Sequence, residues 1–141
     1  MKLRTSLRSG CLITQILRDT DTLTERIIAC CYRVHNALGP GFNEKIYHSD
    51  LILDFNQEEL KHETEKRFEV YYQNKNVGKL IVDLVVENKV IVELKAITGN
   101  IPDVFKYQLL SYLKVSEMKV GLLINFGQKS CMVKRLISQS V

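Results

Sequence analysis

Three side chains within the stretch Lys79 to Ala96 have the types and spacing for metal-assisted chemistry: Asp83, Glu93 and Lys95. Two β-branched, alternating runs flank Glu87-Asn88-Lys89, a pattern that predicts two antiparallel strands joined by a short turn. A three-residue loop at 87 to 89 places Asp83 opposite Glu93. By alternation, Glu93 and Lys95 share a face with Ile91, and Asp83 shares one with Ile81 and Val85. Directly opposed carboxylates destabilise a sheet unless positive charge lies between them, so the hairpin calls for a cation. Hard oxygen ligands suit Mg²⁺ or Mn²⁺, which one or two carboxylates and substrate phosphate oxygens can hold. A neighbouring lysine orients the attacking water and offsets phosphate charge. Phosphodiester cleavage uses such a set and needs no cysteine, serine or histidine nucleophile.

The surrounding chain must position this hairpin. A capping-box pattern, Thr22-Leu23-Thr24-Glu25, predicts the start of a helix carrying Ile27, Cys31, Val34 and Leu38 on one face, ended by Gly39-Pro40-Gly41. A second helix is expected from Asn43 as N-cap to about Phe55, with Tyr47, Leu51 and Phe55 in a stripe. Glu44 stands one turn before Tyr47 and projects on the same side, although the helix dipole alone would favour an acid there. After a charged linker from Gln57 to Lys66, a strand is expected over Phe68 to Tyr72, with a turn at Asn74-Lys75-Asn76. Pro102-Asp103 marks a helix running to about Lys114, on which Gln108 and Tyr112 form a polar edge. Val120 to Phe126 is apolar enough to be a strand covered on both faces, and Cys131 to Ile137 reads as an edge strand. Before Thr22, Leu12, Ile13, Ile16 and Leu17 form only a short helical stripe.

Composition narrows the class. A chain of 141 residues is one domain's worth. No apolar run approaches the roughly 20 residues needed to span a bilayer. The net charge of +4 permits nucleic-acid binding without demanding it. Cys11, Cys30, Cys31 and Cys131 match neither a zinc ribbon nor a disulfide framework, which favours a reducing, cytoplasmic setting. Cys31 and His35 are four apart on a helix, but one such pair is more often packing than half a metal site. The basic N-terminus lacks the apolar segment of a secretory signal. The expected organisation is an extension over residues 1–21 and a single domain over 22–141.

Over about residues 22–137 the sequence resembles the GxxExxY proteins of the PD-(D/E)XK nuclease superfamily. The naming motif stands as Gly41-Phe42-Asn43-Glu44-Lys45-Ile46-Tyr47, after Val34-His35-Asn36-Ala37-Leu38-Gly39-Pro40. Asp83 and Glu93-Leu94-Lys95 match the nuclease signature, with Val82 where the superfamily's name has proline. Gln108-Leu109-Leu110-Ser111-Tyr112 is similar to the Q-x-x-x-Y element of RecB-like nucleases, and Gly121 to Gly127 to the closing strand. The resemblance implies an α/β (α+β), restriction-endonuclease-like three-layer fold, a central mixed sheet flanked by helices. It also implies that Asp83, Glu93 and the Leu94 carbonyl ligate Mg²⁺ or Mn²⁺ and that Lys95 assists the water. Glu44 would then be an additional acid, with Gln108 and Tyr112 positioning the site or the substrate phosphate. The implied partner is nucleic acid, DNA first, with a homodimer or protein partner possible for so short a chain. The second reading is a catalytically silent nuclease-fold module that binds nucleic acid or a protein.

Overall fold

A computed structural model describes residues 2–138, together with their side chains other than those of residues 2–11, 13, 16 and 17. In chain order the elements are α1 (Lys2–Leu38), α2 (Glu44–Gln57), β1 (His62–Tyr72), β2 (Lys75–Val86), β3 (Val90–Lys95), α3 (Asp103–Ser116), β4 (Val120–Asn125) and β5 (Met132–Ile137). The strands lie in sequence order in one mixed sheet. Only the β3–β4 pair is parallel, because α3 carries the chain across the sheet between those strands.

The alternating side chains of the inner strands feed two cores. Leu84, Val86, Val92, Leu94, Leu122 and Ile124 pack with Ile27, Val34, Tyr47, Leu51 and Phe55 of α1 and α2. Val85, Ile91 and Leu123 pack with Leu109 and Leu113 of α3. The result is the expected three-layer arrangement, with every residue of β4 buried and β5 at the sheet's edge.

Two boundaries differ from expectation. Helix α1 does not begin at Thr22 but runs unbroken from Lys2. The hydroxyls that looked like caps instead bond backward within the helix: Thr22 Oγ1 donates to the Arg18 carbonyl at 3.3 Å and Thr24 Oγ1 to the Asp21 carbonyl at 2.9 Å. Of the earlier apolar stripe, Leu12 is exposed and the side chains of Ile13, Ile16 and Leu17 lie outside those described. The charged linker is also shorter than expected, since β1 begins at His62 and pairs with β2 from that point. The first hairpin closes through Gln73 and Asn74, both at positive φ, the geometry of a two-residue type I′ turn. Asn74 is there as expected, while Lys75 and Asn76 belong to the strand.

Candidate active site

The β2–β3 turn has the expected three-residue form: Val86 pairs with Val90, Val85 with Ile91 and Leu84 with Val92. Pairing stops one step before Asp83 and Glu93. There the two carboxylates replace the ladder, each reaching across to the other strand's backbone. The Asp83 N–H donates to Glu93 Oε1 at 2.9 Å, and the Leu94 N–H donates to Asp83 Oδ2 at 2.9 Å. Beyond this fork β2 continues with β1 alone as a two-stranded arm.

The alternation of β2 slips at the fork. Val82 and Val85 both belong to the α3 core, whereas Ile81 is exposed, so Asp83 does not continue the expected face of Ile81 and Val85. The neighbouring strand is irregular at the same level: Lys66 pairs with Val82 and Thr64 with Leu84, while Glu65 between them has φ 49°. A left-handed residue in mid-strand interrupts the pleat, freeing the Asp83 backbone to turn toward Glu93.

Glu93 is nearly buried, at 5% exposure. Its burial, followed by the nearby Asp83 charge, pushes its pKa up to about 8. Lys95 opposes that rise without forming an ion pair: its ammonium lies 4.3 Å from the centre of the Phe105 ring on α3. Among the described residues, neither Asp83 nor Glu93 has a basic side chain within salt-bridge distance. The opposed carboxylates therefore stand as expected, and the expected positive charge between them is not supplied by lysine.

Helix α2 brings Glu44 to the fork. Asn43 caps it as expected, its side-chain oxygen accepting from the Ile46 N–H at 3.1 Å. Tyr47, fully buried and stacked on Phe126 at 4.6 Å, donates its hydroxyl to the Gly39 carbonyl at 2.5 Å and accepts from the Phe42 N–H at 3.3 Å. This clamp needs the chain to reverse at Gly41, whose φ of 110° suits glycine alone. The Gly41, Glu44 and Tyr47 spacing thus holds the entry to α2, and with it the Glu44 carboxylate. Partial desolvation raises the Glu44 pKa; Asp83 adds to the rise, and Lys95 and His48 oppose it.

Helix α3 supplies the opposite wall. Gln108 is exposed and stands one turn before the half-buried Tyr112, whose pKa is raised by burial and by the charges of Glu93 and Asp83. All six side chains singled out from sequence therefore converge in contact or in one another's field. Sequence reading missed two others. His48, one turn after Glu44, places Nε2 3.4 Å from the Asp83 carbonyl, and Phe105 seats Lys95. The Glu44–His48 helical spacing was the available signal for the first; an exposed-looking aromatic gave none for the second. By contrast, Cys31 is buried and His35 Nε2 lies 2.8 Å from the Gln128 carbonyl, a packing role.

The donor set fits a hard divalent cation. Each carboxylate spends one oxygen on backbone, and the Leu94 carbonyl points into the gap, since a strand residue's N–H and C=O lie on the same side. Among the described residues no group of three or more His, Cys, Asp or Glu side chains is placed to hold a metal ion. Water or substrate oxygens would have to complete the shell.

A family model described as the PD-(D/E)XK nuclease superfamily matches residues 21–136. No curated protein matches the sequence. Among solved structures, a crystal structure of SSO0001 superposes with a TM-score of 0.53 at 20% identity, covering 88% of this chain and 61% of that one. At that identity the likeness is one of fold, and the chain spans about three fifths of the SSO0001 structure. The mixed five-stranded sheet between helical layers is the restriction-endonuclease-like architecture expected from sequence.

Proposed function

The chain belongs to the PD-(D/E)XK nuclease superfamily, and from that premise we propose that it is a metal-dependent nuclease hydrolysing phosphodiester bonds of DNA at the Asp83–Glu93–Lys95 fork. The observation that carries this reading is the pair of opposed carboxylates, Glu93 buried and Asp83 half-buried, left without an ion-paired cation. A purely structural charge cluster would place Lys95 between them, yet its ammonium rests on Phe105. The catalytic unit is assigned to residues 22–141. Within the superfamily we place the chain with the GxxExxY proteins, because the Tyr47 clamp gives that spacing a mechanical purpose.

Asp83, Glu93 and the Leu94 carbonyl would hold Mg²⁺ or Mn²⁺. Bound there, such an ion supplies polarisation of the phosphoryl group and acidifies a water. The protein's own groups do the rest. Lys95 presents three donors at the fork, enough to orient the attacking water and to meet negative charge building on phosphate. Glu44 adds a carboxylate with a raised pKa, suited to accepting or returning a proton. The Gln108–Tyr112 pair offers neutral donors to a phosphate oxygen from the α3 side. The free thiols of Cys30, Cys31 and Cys131 support the cytoplasmic assignment.

The test is a DNA panel, single- and double-stranded, incubated with Mg²⁺ or Mn²⁺. Nicking by the intact protein that disappears in Asp83→Asn and Lys95→Ala proteins of unchanged fold is the expected result. Cleavage surviving both substitutions overturns the site. Metal-independent binding with no cleavage by the intact protein would instead identify a silent binding module.

A further inference from the structure

A second concave feature lies at the same end of the sheet. Beyond the carboxyl ends of the parallel strands β3 and β4, the two following loops, the start of α3 and strand β5 enclose a cavity of about 300 Å³. Its walls include Asn100, Asp103, Lys106, Gln128 and Lys134. Crevices at the carboxyl ends of parallel strands are the usual ligand sites of α/β sheets.

The cavity is built on fixed backbone. The fully buried Asn125 accepts from the Ile97 and Gly127 N–H groups at 2.9 and 3.0 Å and donates to the Ile97 carbonyl at 3.0 Å. Gln128 donates to the Gly99 carbonyl. The two loops approach so closely that a Cβ on Gly127 would lie 2.4 Å from Ile97 backbone.

Its charge is unusual. Lys106 and Lys134 line the same cavity, and the neighbouring Lys106 lowers the Lys134 pKa while Asp103 opposes the shift. Asp103, 77% exposed, forms a solvent-screened salt bridge with Lys106 at 3.8 Å, so the cavity wall carries two ammonium groups against one carboxylate. The one exposed carboxylate leaves a net positive charge at the cavity wall, which favours a further anion there. The first turn of α3 borders the same space, and its N-cap, Pro102, makes no side-chain cap bond. The Phe105 N–H donates to the Pro102 carbonyl at 3.2 Å, and the dipole of the helix adds a preference for negative charge at this end.

We propose that this cavity is a phosphate-binding subsite, with Lys106 and Lys134 gripping a phosphate of the nucleic-acid strand whose scissile bond lies at the fork; the assignment rests on the nuclease reading of that fork. The two sites meet consecutive residues of α3: Phe105 seats Lys95, and Lys106 lines the cavity together with Lys134.

The full-length chain, labelled with ¹⁵N, is titrated without divalent metal. The probes are inorganic phosphate, a deoxynucleoside 5′-monophosphate, and a short oligonucleotide with and without a 5′-phosphate. Amides of residues 99–106 and 127–134 should shift with the phosphate-bearing probes. Oligonucleotide affinity should fall about tenfold in Lys134→Glu and less in Lys106→Gln, both checked for an unchanged melting temperature. Tighter binding of the 5′-phosphorylated strand identifies a terminal phosphate, and equal binding an internal diester. Absence of shifts in these amides with every probe, or undiminished affinity in both variants, overturns the proposal. The fork is scored separately: phosphate shifts that persist in a protein unable to cleave DNA uphold the subsite and sink the nuclease reading alone.

Discussion

Strand β2 contains two different environments joined at Asp83. From Leu84 to Val86 it is buried, covered by helices on both faces and paired on both edges. From Lys75 to Ile81 it pairs with β1 only, and Val77 and Ile81 are 62% and 50% exposed. The covered half can hold geometry but penalises charge; the open half tolerates charge but holds nothing firmly. A site that needs both a fixed carboxylate and access for a large substrate belongs at their junction, where the fork stands.

The largest effect is expected at the junction. Asp83→Asn keeps an oxygen that can accept from the Leu94 N–H while removing the charge opposed to Glu93. Cleavage should fall by about 10²–10⁴, while the melting temperature holds or rises because like-charge repulsion is relieved. A nuclease assay paired with a thermal melt reads both, and a collapse of stability would show that Asp83 serves the fold. One residue into the covered half, Leu84→Ala should behave in the opposite sense. It removes a fully buried side chain from the α1–α2 core, at about 2–5 kcal/mol, measured by denaturant unfolding.

The junction also predicts a pH dependence. The Glu93 carboxyl rises from its ordinary 4.5 to about 8, so the native state keeps a proton that the unfolded chain has released. Between those values the unfolded state binds fewer protons, and stability must fall as pH rises. The contribution is intact below about 4.5 and lost above about 8. Melting temperatures from pH 5 to 8 should therefore decline, and Glu93→Gln should flatten the decline. Mn²⁺ should raise the melting temperature more at pH 8 than at pH 6, because at the lower pH a proton competes for the same carboxylate.

Much of this geometry was legible in sequence because local rules and tertiary packing agreed. The Glu87-Asn88-Lys89 loop, the Asn43 cap and the Tyr47-Leu51-Phe55 stripe appear as read. What local rules missed came from competition. Thr22 and Thr24 have cap chemistry, but within a continuing helix their hydroxyls bond backward to carbonyls. The slip at Asp83 depends on the left-handed Glu65 on another strand, which no alternation within β2 can reveal. The fork's lysine was read by type and spacing; its seat on Phe105 is a contact between residues from separate elements.

The smallest predicted effect tests the contrast most directly. Ile81 and Leu84 lie three apart on one strand, both large and aliphatic, so strand propensity alone would assign them similar value. Burial assigns them different ones. Ile81 is 50% exposed and lies outside both cores, and truncating it leaves no enclosed cavity because solvent already reaches the position. Ile81→Ala should therefore change unfolding free energy by no more than about 0.5 kcal/mol, against the several expected for Leu84→Ala. If Ile81→Ala costs as much as Leu84→Ala, the arm is packed in solution by something that covers its outer face. A concentration-dependent melt would then identify a second copy as that cover, and the open half of β2 would have to be reassigned from substrate access to assembly.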